Sequence, residues 1–208
     1  MSIPLPAARR VSIGRHRGGY KFGKTIMRKL TAGLFHSVDG VVESPFLFQF
    51  DSFDDQLGAT LNEIMGRTDT VILGRVGYEE WAGYWPSAQQ DEGFAKFINA
   101  VPKHVASRTL TGKLDWQNST LIAGDLAAFV RQLKAQPGGE VAVMASISVV
   151  RELLFAGLLD ELTLITHPVV AGSGRHLFLP TDPTTRLALD RSFTSSKGNV
   201  VSTYALKV

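Results

Sequence analysis

The chain has 208 residues, 44% hydrophobic and 20% charged, with no cysteine, the profile of one globular domain with a sizeable core. That composition excludes a disulfide scaffold, thiolate metal sites and cysteine nucleophiles, and no apolar run approaches the ~20 residues that span a bilayer. The formal charge of +3 is local, because six of the 22 basic residues and none of the 19 acidic ones fall before Met27.

With that basic excess confined to Arg9, Arg10, Arg15, Arg17, Lys21 and Lys24, the rest of the chain is net acidic, and no nucleic-acid partner is expected. Residues 1–26 are rich in Pro, Gly and Arg and lack hydrophobic periodicity, so a disordered basic leader is expected there and a folded domain over 27–208. Three readings of the leader stay open: a translated stretch upstream of a start at Met27, a flexible tail, or a targeting peptide.

From Arg28 onward, short β-rich runs alternate with helical patterns, the rhythm of βα units around a largely parallel sheet. Lys29–Phe35 is predicted as a strand running into the turn His36-Ser-Val-Asp-Gly40 and an aromatic loop over Pro45–Phe53. Asp54 or Ser52 caps a helix whose stripe is Leu57, Leu61, Ile64 and Met65, with Gly66 as its C-terminal cap. Thr70–Leu73 is a buried strand ending at Gly74-Arg75, and helices are expected from there to Ala82 and over Glu92–Asn99.

Lys103–Ala106 and Ser119–Ala123 read as strands, and Asp125 opens a helix carrying Leu126, Phe129, Val130 and Leu133. Glu140–Met144 is followed by a helix capped by Ser146 or Ser148 and stopped at Gly157. Glu161–Val170 is predicted as a long strand, and Leu187–Thr194 with Val200–Leu206 as a closing hairpin. The predicted class is α/β: three layers, α/β/α, around a mostly parallel mixed sheet with a C-terminal antiparallel hairpin.

In open α/β sheets ligands lie at the carboxyl ends of strands, where helix N-termini present free N–H groups and partial positive charge. That rule selects Gly74-Arg75, Ser107-Arg108-Thr109, Gly124-Asp125 and Ala145-Ser146. Arg75 and Arg108 each set a forked cation at a strand end, which suits phosphate. The three-glycine spacing of a Rossmann turn is absent, since Gly172-Ser-Gly174 precedes Leu177 and Pro180 rather than a helix. The histidines lack metal-ligand spacing, so no metal is expected.

Three segments carry a family resemblance: Thr70-Val-Ile-Leu-Gly-Arg-Val-Gly-Tyr-Glu79, Lys103-His-Val-Ala-Ser-Arg-Thr109 and the stretch from Val143 to Glu161. Together they resemble the dihydrofolate-reductase-like family. With His167-Pro-Val-Val-Ala-Gly-Ser-Gly174 added, they are most similar to the C-terminal reductase domain of the riboflavin-pathway deaminase-reductase, here in stand-alone form. The resemblance implies a homodimeric, NADPH-dependent oxidoreductase that passes hydride to a small heterocyclic substrate, a ribosylamino-pyrimidine phosphate being the example, and the absence of cysteine fits a reducing cytoplasm.

It also implies roles. Gly74, Arg75, Val76 and Gly77 would meet the cofactor pyrophosphate, and Ser107, Arg108 and Thr109 the adenosine 2′-phosphate. Ala145 and Ser146 would complete the cofactor site, with Ser37, Asp39 and Asp54 on the substrate side; no proton donor is assigned. Turn formation at Asp39 and helix capping at Asp54 are the alternatives. One departure stands out: the family usually has a glycine-containing pair where this chain has Met144-Ala145-Ser146. A Cβ there restricts the backbone and crowds an approaching phosphate, which keeps open a non-catalytic nucleotide-binding or regulatory protein on the same fold.

Overall fold

The structure, a computed structural model, describes residues 27–206, so the expected leader at 1–26 lies outside the described residues. Strand β1 (Leu30–Ser37) is followed by helix α1 (Asp55–Arg67), and β2 (Thr68–Gly74) by α2 (Arg75–Tyr84) and α3 (Glu92–Ala100). Next come β3 (Lys103–Ala106), β4 (Ser119–Leu121), α4 (Leu126–Lys134), β5 (Glu140–Met144), α5 (Ile147–Phe155) and β6 (Glu161–His167). The hairpin of β7 (Leu187–Thr194) and β8 (Val200–Leu206) closes the fold. No helix among the described residues is long and apolar enough to cross a membrane.

All the strands join one sheet in the order β4-β3-β2-β5-β1-β6-β8-β7. Those from β4 to β6 are parallel, whereas β8 runs antiparallel to β6 and pairs with β7. This is the mixed sheet and C-terminal hairpin expected from the strand pattern.

Period-two alternation gives the sheet two apolar faces. On one, Leu30, Ala32, Val141, Val143 and Leu162 meet the stripes of α4 and α5, including Val130, Leu133, Val150 and Leu153. Each such side chain, fully buried, contributes roughly 1.5–3 kcal/mol of transfer free energy. The opposite face is covered in two separate places. Leu57 and Leu61 of α1 pack on Phe35, Ile165 and Val201, while Tyr78 of α2 and Ile98 of α3 pack with Val71, Leu73 and Val105. The strip of sheet between these coverings, over β5 and β1, is the floor of a cleft.

Several boundaries differ from expectation for local reasons. Strand β6 stops at His167 rather than Val170 because Pro168 has no N–H for the ladder. Helix α1 continues past Gly66 to Arg67, where the Thr68 hydroxyl donates to the Ile64 carbonyl at 2.8 Å. Strand β4 ends at Leu121, short of Ala123. Of the paired cap candidates, Asp54 and Ser146 accept from the backbone N–H groups of Leu57 and Val149.

Candidate functional site

The parallel register aligns the strand ends. Gly74 pairs with Ala106 and Leu73 with Met144, so the turns after β2, β3 and β5 lie side by side at one edge. The N-terminus of α2 is chemically unfinished: Gly74 offers no side-chain cap, the first turn carries no acid, and Arg75 sets a cation at the positive end of the helix dipole. An anion bound there relieves both deficits. By contrast, α4 is capped by Asp125, which accepts from Ala128 N–H at 2.7 Å, and α5 by Ser146, which accepts from Val149 N–H at 3.3 Å.

The same edge is too tight for extra atoms. A Cβ at Gly74 would lie 2.2 Å from Ser146 Oγ, and one at Gly77 would lie 2.0 Å from the Ala145 carbonyl oxygen and 2.7 Å from its Cβ. Ala145 itself adopts φ +48°, the left-handed region that L-residues other than Asn and Asp rarely enter. A glycine would take that conformation without strain, and Gly77 makes the room that lets alanine serve.

These turns open onto a cleft of about 1930 Å³. Gly74, Arg75 and Val76 line it, as do Ser107, Arg108 and Thr109, and so do Ala145 and Ser146. The two arginines thus face a common space. Arg75 pairs with Glu79 at 2.8 Å on the helix surface, whereas Arg108 makes no ion pair among the described residues. Ser107 Oγ accepts from the N–H groups of Thr109 and Leu110 at 3.1 and 2.9 Å and meets the Thr109 hydroxyl at 3.5 Å. Gly77 packs behind the lining, against Ala145.

The substrate-side candidates sit elsewhere. Ser37 Oγ donates to Asp39 Oδ1 at 2.5 Å and accepts from Val41 N–H at 3.0 Å. Asp39 accepts from the N–H groups of Ala171 and Gly172 at 3.0 and 2.8 Å, tying the loop after β1 to the loop after β6. These bonds hold its carboxyl below the ordinary aspartate range, the one from Ser37 most strongly. Asp54 divides its oxygens between Leu57 N–H at 3.0 Å and the Ser196 hydroxyl and Lys197 N–H of the β7–β8 turn at 2.9 and 3.0 Å. None of the three lines the cleft; the geometry gives them turn and cap duties.

What sequence reading passed over is the other half of the cleft. Gly33, in the middle of the central strand β1, would carry a Cβ with nothing within 4 Å of it, and Asn62 of α1 lines the same space. An isolated glycine inside a strand is a signal of close approach by a ligand. Of the aromatic side chains in the loop after β1 and along α2, Phe48 and Tyr78 are buried, while Phe46, Phe50, Trp81, Tyr84 and the adjoining Trp85 line the cleft.

Comparison with known proteins matches residues 28–201 to the family model described as the RibD C-terminal domain. The chain is 27% identical over 181 residues to the uncharacterized protein YyaP of Bacillus subtilis, covering 85% of this chain and 94% of that protein. In fold it is similar to a pyrimidine reductase-like protein of Corynebacterium diphtheriae, with TM-score 0.64 and 15% identity over 87% of this chain and 92% of that one. It is also similar to Enterococcus faecalis dihydrofolate reductase complexed with NADP(H), with TM-score 0.56 and 12% identity over 86% and 97% of the two chains.

Proposed function

Because the chain belongs to the RibD C-terminal domain family, we propose that it is an NADPH-dependent reductase that transfers hydride to a small heterocyclic substrate. The observation that carries this reading is the convergence of Arg75 and Arg108 on one cleft, at adjacent strand ends, above the unfinished N-terminus of α2. The Enterococcus faecalis reductase with NADP(H) supports the choice of cofactor.

The residues present fit such a dinucleotide. The first N–H groups of α2, at Arg75, Val76 and Gly77, bind the pyrophosphate with the helix dipole behind them. Arg108, Ser107 and Thr109 hold the 2′-phosphate through charge-assisted hydrogen bonds. Gly74 and Gly77 let Ala145 and Ser146 close against α2, and the methyl of Ala145 is taken up by Gly77, which favours a working cofactor site over the non-catalytic alternative. When bound, the nicotinamide supplies the hydride; the protein supplies orientation and a pocket of reduced water access.

The test is a titration of purified protein with NADPH and with NADH, followed by nicotinamide fluorescence. Saturable NADPH binding is expected. Losing the charged contacts in Arg108→Ala should weaken NADPH by about tenfold to a hundredfold while leaving NADH nearly unchanged. No saturable signal, beside a reductase control that gives one, rejects the reading. A homodimer in the cytoplasm belongs to the same proposal, supported by Leu189 and Phe193, which the edge strand β7 leaves exposed; sedimentation as a monomer removes it.

A further inference from the structure

We infer that the substrate end of the cleft takes a flat, uncharged ring and not a phosphate-bearing one, an inference that rests on the reductase reading above and narrows it. The floor of that end is Gly33, exposed within the central strand with open space where its Cβ would stand. Its walls are aromatic. Phe53 packs beside Phe35 with centroids 6.5 Å apart and stays 46% exposed, while Tyr84 at the end of α2 is 49% exposed. Trp81 and Trp85 also line it, the latter 4.9 Å from Tyr84 centroid to centroid. Aromatic side chains left open on the lining of one cleft suit a planar ligand that stacks on them.

Charge decides against a phosphate. The cations that line the cleft are Arg67, Arg75, Arg108 and Arg175, and among the described residues no lysine joins them. Arg75 and Arg108 belong to the cofactor end. Arg67 is held by three carboxylates, Glu63, Glu140 and Glu161, at 3.2–3.5 Å. Arg175 meets Glu43 at 2.6 Å. A phosphate dianion at the substrate end would therefore have to break one of these pairs, and would still face the acidic lining residues Glu43, Glu80, Asp91 and Glu161. Neutral polar groups on the lining there are Asn62 and Thr31, the Thr163 hydroxyl being shared with Thr203 at 3.1 Å.

The reaction so defined adds hydride from NADPH to one atom of a conjugated C=N or C=O unit of the ring and a proton from water to the other, leaving NADP⁺. Water is the proton source because Glu161, a lining carboxylate on the strand next to the floor, is engaged by Lys29, Arg67 and Arg191.

The test uses the full chain saturated with NADP⁺, with quenching of the cleft tryptophans Trp81 and Trp85 as readout. The probes are 2-methyl-1,4-naphthoquinone and a ribosylamino-pyrimidine offered both as the free riboside and as its 5′-phosphate. Saturable quenching by the quinone is expected, together with riboside binding at least as tight as that of its phosphate. Tyr84→Ala should weaken the rings by about tenfold through lost stacking, with NADPH affinity unchanged. A phosphate ester that binds about tenfold tighter than the riboside, or no saturable quenching by either uncharged ring, overturns the inference. Failure of NADPH to bind in the earlier titration instead overturns the reductase reading itself, so the two failures are told apart.

Discussion

Ala145 and Gly77 form a reciprocal pair, one residue in a conformation that disfavours a Cβ and the other without one. The left-handed backbone at Ala145 costs about 1–2 kcal/mol, so Ala145→Gly should raise stability by about 1 kcal/mol, read from urea unfolding. Gly77→Ala should lower it by about 3 kcal/mol, because the new Cβ would sit 2.0 Å from a carbonyl oxygen that α5 and β5 hold in place. A Gly77→Ala protein as stable as the parent would show that this contact relaxes freely. Neither role is legible locally. The sequence marks Ala145 as a departure and Gly77 only as a cofactor candidate; they stand far apart along the chain, and only the packing of α2 against the β5–α5 turn makes one the reason for the other.

Among the elements, α1 and the β7–β8 hairpin are joined by one carboxylate. Asp54 caps the helix with one oxygen and holds Ser196 and Lys197 of the hairpin turn with the other. Asp54→Ala is therefore expected to cost about 1–2 kcal/mol, as an N-cap does, with cofactor and ring affinities unchanged. Lost ring binding at full stability would instead return Asp54 to the substrate. The helix cap was legible as one of two candidates, Asp54 or Ser52, since a short polar residue before the Leu57–Leu61 stripe is a local pattern. Its second partner was not, because a turn more than a hundred residues later reaches it only through the sheet order β1-β6-β8-β7.

Over the whole molecule, burial sets the acid limit of stability. His36, His104 and His167 are each pushed below the ordinary histidine value of 6.5, in every case chiefly by burial. Below pH 6.5 the unfolded chain binds protons that the folded one refuses, so stability should fall as the pH drops from about 6.5 toward 5. Asp39 and Asp54, held below the usual aspartate range by their hydrogen bonds, add their own loss only in stronger acid. Urea unfolding across this range checks the expectation; a flat profile between pH 6.5 and 5 counts against it.

By itself the sequence determined the alternation of strands and helices, the cap Asp125, the pairs of cap candidates Asp54 or Ser52 and Ser146 or Ser148, and the strand-end turns at Gly74, Ser107 and Ala145, because hydrophobic period and turn chemistry are carried by neighbouring residues. Only the tertiary structure decided that Gly33 and two aromatic groups line one cleft, and that Arg67 and Arg175 are already paired while Arg108, among the described residues, is not. Those properties are sums over distant segments. They come into being when the sheet order brings the segments together.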